Sequence, residues 1–349
     1  MSQTPLVSAV IANRNGGHHL RLCLPSLLAQ SYQPLEMIVV DNNSTDDSKL
    51  VAEQFGVRWI GLTTNVGLAP ALNRGAAAAS GEFLLFVNND MRFDQGFVEA
   101  LVRALLDDAN TFAADGMQYD WDGTALGHTA TRLSKRPPQT CVSVEIVPGL
   151  YMWQEQTQEN SPALMASAAC MLVRRGLFRN LDGFDEKLPL GSEDIDICWR
   201  AWIKGLRTVY VPRAICWHRV GSSCRTPEGA RLLFLGTLKG RLVLATKLLP
   251  ARYALLAWAT VVAGLGKDLL LLRMQNFKDR LATLWAYGGF IPEMVREKAA
   301  LFRGSGVTPE QQLELFLQLG AREPRSNPLK AAPCEQGPGA MSAPRLKAE

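Results

Sequence analysis

Up to Val87 the chain alternates short apolar, β-rich runs with stretches whose apolar positions recur at helical spacing. That alternation predicts an α/β fold with a mostly parallel, Rossmann-like sheet flanked by helices. Strands are predicted at residues 6–12, 35–40, 57–61 and 82–87. The first intervening helix carries Leu20, Leu24, Leu27 and Leu28 on one stripe, with Pro25 expected to kink it or to mark its first turn. Ser44-x-x-Asp47 is expected to cap the second helix, and an alanine-rich third helix spans residues 69–79. Beyond a helix at 97–106, residues up to 165 carry many turn formers and Pro137-Pro138, and read as a long irregular stretch of the kind that covers active sites. Order returns with an apolar run from Ala166, a helix opening at Glu193-Asp194 and a strand at 206–211.

After Gly229 the composition shifts to leucine, alanine and arginine, which places a catalytic domain at 1–229 and a helical region at 230–320. Residues 321–349, rich in Pro, Ala and charge, read as a disordered tail. The net charge is only +4, yet residues 230–285 hold nine basic side chains against Asp268 and Asp279, so this segment carries +7 and the remainder −3. Such a concentrated surplus argues against nucleic acid and for an anionic membrane surface. The most apolar part, residues 253–266, is fourteen residues between Arg252 and Lys267, short of the roughly 20 needed to span a bilayer. Helices lying in the interface are therefore expected, against the alternative of a helical subdomain packed on the core. Seven scattered cysteines without a Cys-x-x-Cys pair fit a reducing compartment, and residues 1–5 lack a secretory pattern. The expected location is cytoplasmic, peripheral on the inner face of the cell membrane.

Three predicted strands end on polar clusters: Asn13-Arg14-Asn15, Asp41-Asn42 and Asn88-Asn89-Asp90. Each alone is an ordinary turn, but together they mark the carboxyl edge of a parallel sheet, where ligands bind. Asp90 offers a hard oxygen ligand to magnesium or manganese, and such an ion clamps a diphosphate and neutralises a leaving phosphate. Asp41 can accept hydrogen bonds from a base or ribose. Glu193-Asp194 places two carboxylates at a helix start, either to offset the macrodipole or to serve as a general base. His218 is a metal ligand or an ordinary half-buried histidine beside Trp217.

The runs Val7-Ser8-Ala9-Val10-Ile11-Ala12-Asn13-Arg14-Asn15, Val39-Val40-Asp41-Asn42-Asn43-Ser44-Thr45-Asp46, Asn65-Val66-Gly67-Leu68-Ala69 and Phe86-Val87-Asn88-Asn89-Asp90 resemble those of the inverting family 2 glycosyltransferases. Gly183-Phe184-Asp185-Glu186, Glu193-Asp194-Ile195-Asp196-Ile197-Cys198-Trp199-Arg200 and His218-x-Val220-Gly221-Ser222-Ser223 are similar to the rhamnosyltransferase-like and galactofuranosyltransferase-like branch. The resemblance implies a GT-A fold and a metal-dependent, inverting hexosyltransferase. In it, Asn13, Asp41, Asn65, Asn88, Asn89 and Asp90 hold the nucleotide-sugar. Asp90 and His218 bind the Mn2+ or Mg2+, Asp194 is the catalytic base and Glu193 its companion acid. Asn88 stands where the family's Asp-x-Asp motif has its first acid. Asp182 replaces a glycine often found before Gly183, and Leu188-Pro189-Leu190 replaces aromatic residues. No Gln-x-x-Arg-Trp motif follows His218, which favours transfer of a single sugar. The expected donor is dTDP-rhamnose ahead of a UDP-sugar, and the expected acceptor a polyprenyl-linked or glycan chain in cell-surface polysaccharide synthesis. The competing readings are a sugar nucleotidyltransferase, which needs a basic loop where this chain has Gly16-Gly17-His18-His19, and a non-catalytic nucleotide-sugar-binding scaffold.

Overall fold

The computed structural model describes residues 4–138, 141, 143–188, 191–219 and 227–321. The first elements alternate as the pattern predicts: β1 (Val7–Asn13), α1 (Gly17–Leu28), β2 (Leu35–Asp41), α2 (Ser48–Gln54), β3 (Arg58–Gly61), α3 (Leu68–Ala78) and β4 (Phe83–Asn88). β1 pairs in parallel with β2 and β4, so Asn13 lies opposite Asp41 and Ala12 opposite Asn88. Helices cover both faces of this sheet, which is why its central strands are apolar almost throughout. Of the two places expected for Pro25, the structure has it in the interior of α1 and not in its first turn. A second local expectation fails. Ser44 does not cap α2, because its hydroxyl is spent on Asp41, and Asp46 Oδ1 takes the Ser48 amide instead.

β5 (Met91–Phe93) and α4 (Phe97–Asp107) follow. The stretch predicted to be irregular is largely β structure: β6 (Thr111–Asp120), β7 (Leu126–His128), β8 (Ala130–Ser134), β9 (Ser143–Val147), β10 (Leu150–Glu155) and β11 (Ser161–Pro162). The misreading has a physical cause. β6 is buried for eight successive residues yet contains Asp115, Gly116 and Gln118, and β8 buries Arg132 in an ion pair with Glu155. Polar residues inside strands erased the periodicity. β12 (Leu172–Arg174), α5 (Arg175–Asn180), α6 (Glu193–Ile203) and β13 (Arg207–His218) complete the α/β part, with β13 running seven residues past the predicted strand end. The main sheet has the order β11-β13-β6-β12-β4-β1-β2-β3, with β5 added to β13 and β7 to β6, while β8, β10 and β9 form a second small sheet.

Helices α7 (Pro227–Leu248), α8 (Ala251–Leu270), α9 (Met274–Gly288), α10 (Ile291–Phe302) and α11 (Pro309–Gly320) make up the rest. They dock on the α/β part. Phe316 sits 4.9 Å from the Trp199 ring and 5.7 Å from that of Trp202, both on α6. Lys247 reaches Asp185 at 2.5 Å, Asp196 at 3.2 Å and Glu297 at 3.5 Å. α8 is 20 residues long and, by length and composition, long and apolar enough to cross a membrane. The argument from fourteen residues counted only the gap between two charges, so length does not exclude a span. Tyr253, Ala257 and Val261 form a buried stripe on α8, whereas Leu255, Leu256, Val262 and Leu269 are exposed. The tail expected to be disordered lies, from residue 322 on, outside the described residues.

Candidate active site

The strand-end polar residues meet through hydrogen bonds. Asn13 Nδ2 donates to Asp41 Oδ1 at 3.0 Å, and Asn89 Nδ2 donates to Asn13 Oδ1 at 2.7 Å. Asp41 also accepts from the Ser44 amide at 2.9 Å and from the Ser44 hydroxyl. Asn13 and Asp41 are almost fully buried, so these bonds to a carboxylate are each worth about 1.5–3 kcal/mol. Gly16 permits the arrangement, since a Cβ there would sit 2.0 Å from Asn89 Nδ2. Asn65 lies apart on an exposed loop, its side chain accepting from the Gly67 amide. Asn42, unassigned by sequence reasoning, holds that loop: it donates to Gly67 O at 2.9 Å and accepts from the Val66 amide at 2.8 Å.

Asp90 and His218 come together because β5 pairs antiparallel with the end of β13. His218 stands opposite Met91, and Arg219 donates its amide to Asp90 O at 3.0 Å. His218 Nε2 lies 3.3 Å from Asp90 Oδ1. Among the described residues no three His, Cys, Asp or Glu side chains cluster as a metal cage. Two adjacent donors are nevertheless what magnesium or manganese needs when a diphosphate and water complete the shell, so the residues present fit such an ion. Two nearby groups were missed. The Arg219 guanidinium stacks on Trp121 at 4.5 Å beside the pair, and His19, in the first turn of α1, feels the charge of Asp90. Burial, followed by the neighbouring His18, holds His19 below the usual imidazole range.

α6 begins at the acid pair, and the two acids differ. Glu193 is 3% exposed, and its Oε2 accepts from the amides of Gly191 at 2.8 Å and Ser192 at 3.0 Å. It braces the helix start, and burial followed by the Asp194 charge pushes its carboxyl up. Asp194 is half-buried and accepts from the amides of Ile195 at 2.8 Å and Ala168 at 3.4 Å. Burial raises its carboxyl as well, opposed by those two amides and by the charge of His128. Of the two, Asp194 has the access that a base requires.

The segment from Ser167 to Ala169 ties these parts together. Ala169 O accepts from the Asn88 amide at 3.0 Å, the Ala168 amide meets Asp194, and the Ser167 amide meets Asp115 Oδ2 at 2.8 Å. Its run of small residues was the available signal, since small side chains let the backbone approach both neighbours. Asp182 has φ 59° and Gly183 φ 66°. The position often occupied by glycine is thus left-handed, a conformation that Asp tolerates better than most residues. Pro189 and Leu190, part of the second departure, and residues 220–223 of the His218 motif lie outside the described residues.

A mixed sheet with a polar carboxyl edge, a strand-end Asp-His pair and an acid pair opening α6 is the arrangement of a GT-A glycosyltransferase. The profile of glycosyl transferase family 2 matches residues 8–182, half of the chain, and the chain belongs to that family. Over 248 residues it is 28% identical to an N-acetylglucosaminyl-diphospho-decaprenol L-rhamnosyltransferase of Mycobacterium tuberculosis, covering 64% of this chain and 80% of that protein. Over 240 residues it is 31% identical to the O-antigen biosynthesis protein RfbC of Myxococcus xanthus, again 64% of this chain but only 18% of that much longer protein. Among solved structures, the mannosyltransferase PcManGT of Pyrobaculum calidifontis, in complex with GDP-Man and Mn2+, superposes with a TM-score of 0.53 at 17% identity. That match covers 92% of this chain and 87% of the other.

Proposed function

We propose that this glycosyltransferase moves one sugar, rhamnose from dTDP-rhamnose ahead of a UDP-sugar, onto a lipid-linked acceptor with inversion at the anomeric carbon. The observation that carries this is the linkage of Asp90-His218, the Asn13-Asp41-Asn89 network and Asp194 into one sheet edge. Asp41 and its partners orient the nucleotide. Asp90 and His218 are the residues that would hold a divalent cation, and such an ion, when bound, would supply positive charge to the diphosphate leaving group. Asp194 takes the proton from the acceptor hydroxyl as it attacks, so a single displacement follows. The sugar and the acceptor class are supported by the mycobacterial relative's name and the cation by the mannosyltransferase complex.

The helical region holds this site at the inner membrane surface. Exposed Leu255, Leu256, Val262, Leu269 and Leu270 on α8 lie along a helix flanked by Arg252, Lys267, Arg273 and Lys278, an apolar face with basic margins. We read α8 as lying in the interface, because its Tyr253-Ala257-Val261 stripe is buried against its neighbours and Asp268 is locked to Arg280 at 2.7 Å. The test is release of nucleoside diphosphate across a donor panel, with a polyprenyl-diphosphate-linked amino sugar as acceptor. Turnover with dTDP-rhamnose that is abolished by chelator and restored by manganese is expected. Full activity after exhaustive chelation, or preference for another donor, overturns the corresponding part.

A further inference from the structure

β7 ends on His128, which no motif singles out and no step above uses. It is almost fully buried, and its Nε2 lies 2.7 Å from Asp115 Oδ2 on β6. Asp115 is completely buried, and among the described residues its other oxygen, Oδ1, has no hydrogen-bond partner. Oδ2 also receives the Ser167 amide, while the next amide, Ala168, donates to Asp194. Two carboxylates therefore hang from consecutive peptides, whose Cα atoms lie about 3.8 Å apart, and the imidazole bonded to the first is close enough for its charge to act on the second. The side chain that meets this buried carboxyl of Asp115 is the His128 imidazole.

We propose that His128, anchored by Asp115, is a positioning residue that sits as an imidazolium beside Asp194 and keeps that carboxylate charged and in place to accept the acceptor's proton. Burial alone would discharge the imidazole, but the charge and hydrogen bond of Asp115, with help from Asp194, hold it above its usual range. The same charge interaction acts in reverse, since the His128 charge opposes the burial that raises Asp194. Three other described groups near this cluster hold their protons near neutral pH. The Cys198 thiol on α6 is pushed up to about 12 by burial, and burial likewise raises Tyr210 and Cys216 on β13. Glu193, on the same helix, does titrate in this range, pushed up to about 7 by burial and then by the Asp194 charge, but its Oε2 is held by the amides of Gly191 and Ser192, so the imidazole variants leave its bonds in place.

The sign of the effect follows. Transfer requires unprotonated Asp194, so the rate falls on the acid side as pH drops through its pKa. Removing the neighbouring positive charge raises that pKa further and moves the acid limb to higher pH. The inference rests on Asp194 being the base, and the experiment separates the two ideas. The pH profile of kcat is measured for the parent, His128→Gln and Asp115→Asn, each checked by thermal melt, with nucleotide affinity measured alongside and Asp194→Asn as control. Both variants are expected to shift the acid limb upward by about one pH unit, a roughly tenfold loss at the limb that recovers at alkaline pH, with nucleotide affinity unchanged. A uniform loss at every pH with an unmoved limb, while Asp194→Asn is inactive, overturns the role of His128 alone. Near-normal turnover in Asp194→Asn overturns the base assignment instead. Should either variant fail to fold, 15N imidazole shifts of the parent decide: His128 charged at pH 7 is expected, and a neutral ring there contradicts the proposal.

Discussion

At the sheet edge, polarity is held by short side chains bonded to one another, whereas in the five C-terminal helices it is held by long cations reaching across gaps. Asn13, Asp41, Ser44 and Asn89 form a closed network in which each group lies close to a strand end and has little freedom. Lys247 gathers Asp185, Asp196 and Glu297 from three separate segments, and Arg231 reaches Asp279 from α7 to α9. The first arrangement fixes the geometry of the strand ends, which on the proposed function is where the nucleotide lies. The second fastens one body to another, leaving the apolar outer face of α8 for a different neighbour. The site is thus preorganised by the sheet, and the helices steady α6, which carries Asp194.

Breaking the long-range fastening has the largest expected effect. Lys247→Met takes the shared cation from Asp185, Asp196 and Glu297, leaving Asp185 without a side-chain partner while Asp196 keeps Arg200 and Glu297 keeps Lys187, and is expected to cost about 3 kcal/mol of stability by denaturant titration at pH 7. Burial would lower the Lys247 pKa, but Asp196, Asp185 and Glu297 outweigh it and hold it high, while the Lys247 charge overcomes burial to hold Asp185 low. A depressed carboxyl gives stability that is present above its unfolded pKa, 3.8, and lost as pH falls through the folded value, so the cost of the substitution shrinks in acid. A pH-independent cost would show that packing, not charge, fastens the helices. Phe316→Ala, which empties the space between Trp199 and Trp202, is expected to cost about 3 kcal/mol in the same titration. If it changes stability by only a few tenths, α11 is not part of the attachment.

Asn89→Ala tests the sheet edge. Removing one donor leaves buried Asn13 Oδ1 short of a partner, at about 1–3 kcal/mol, and should weaken nucleotide binding by titration calorimetry more than it lowers the melting temperature. Equal nucleotide affinity would mean that the network is only structural. The smallest effect belongs to the outer face of α8 and its flanks. Replacing Arg252 or Lys278 with Gln should cost about 1 kcal/mol each in flotation with anionic liposomes, with the difference fading at high salt. Resistance of the bound protein to alkaline carbonate would replace the interfacial reading of α8 with a span.

Much of this comparison was legible in the chain itself, and the gaps have a common cause. β1, β2 and β4 are buried on both faces, so their apolar runs and polar ends stand out, and their register then brings Asn13, Asp41 and Asn88 together. Asp90 and Asp194 could be singled out as strand-end and helix-start acids. β6 to β10 could not be read, because buried Asp115, Gln118 and Arg132 look like surface residues until their partners across the fold are known. His128 was hidden for the same reason: its meaning lies in Asp115 and in two amides of the segment at 167–168, all distant in sequence. The docking of α11 on α6 is likewise a contact between parts of the chain that no periodicity relates.

The most direct test of the central claim is Asp194→Asn, with transfer rate and nucleotide affinity measured on the same preparation. A rate lowered by about a hundredfold or more, with nucleotide affinity unchanged, is the predicted result, because the site retains its donor cradle and loses only the group that accepts the proton. Near-normal turnover would contradict it.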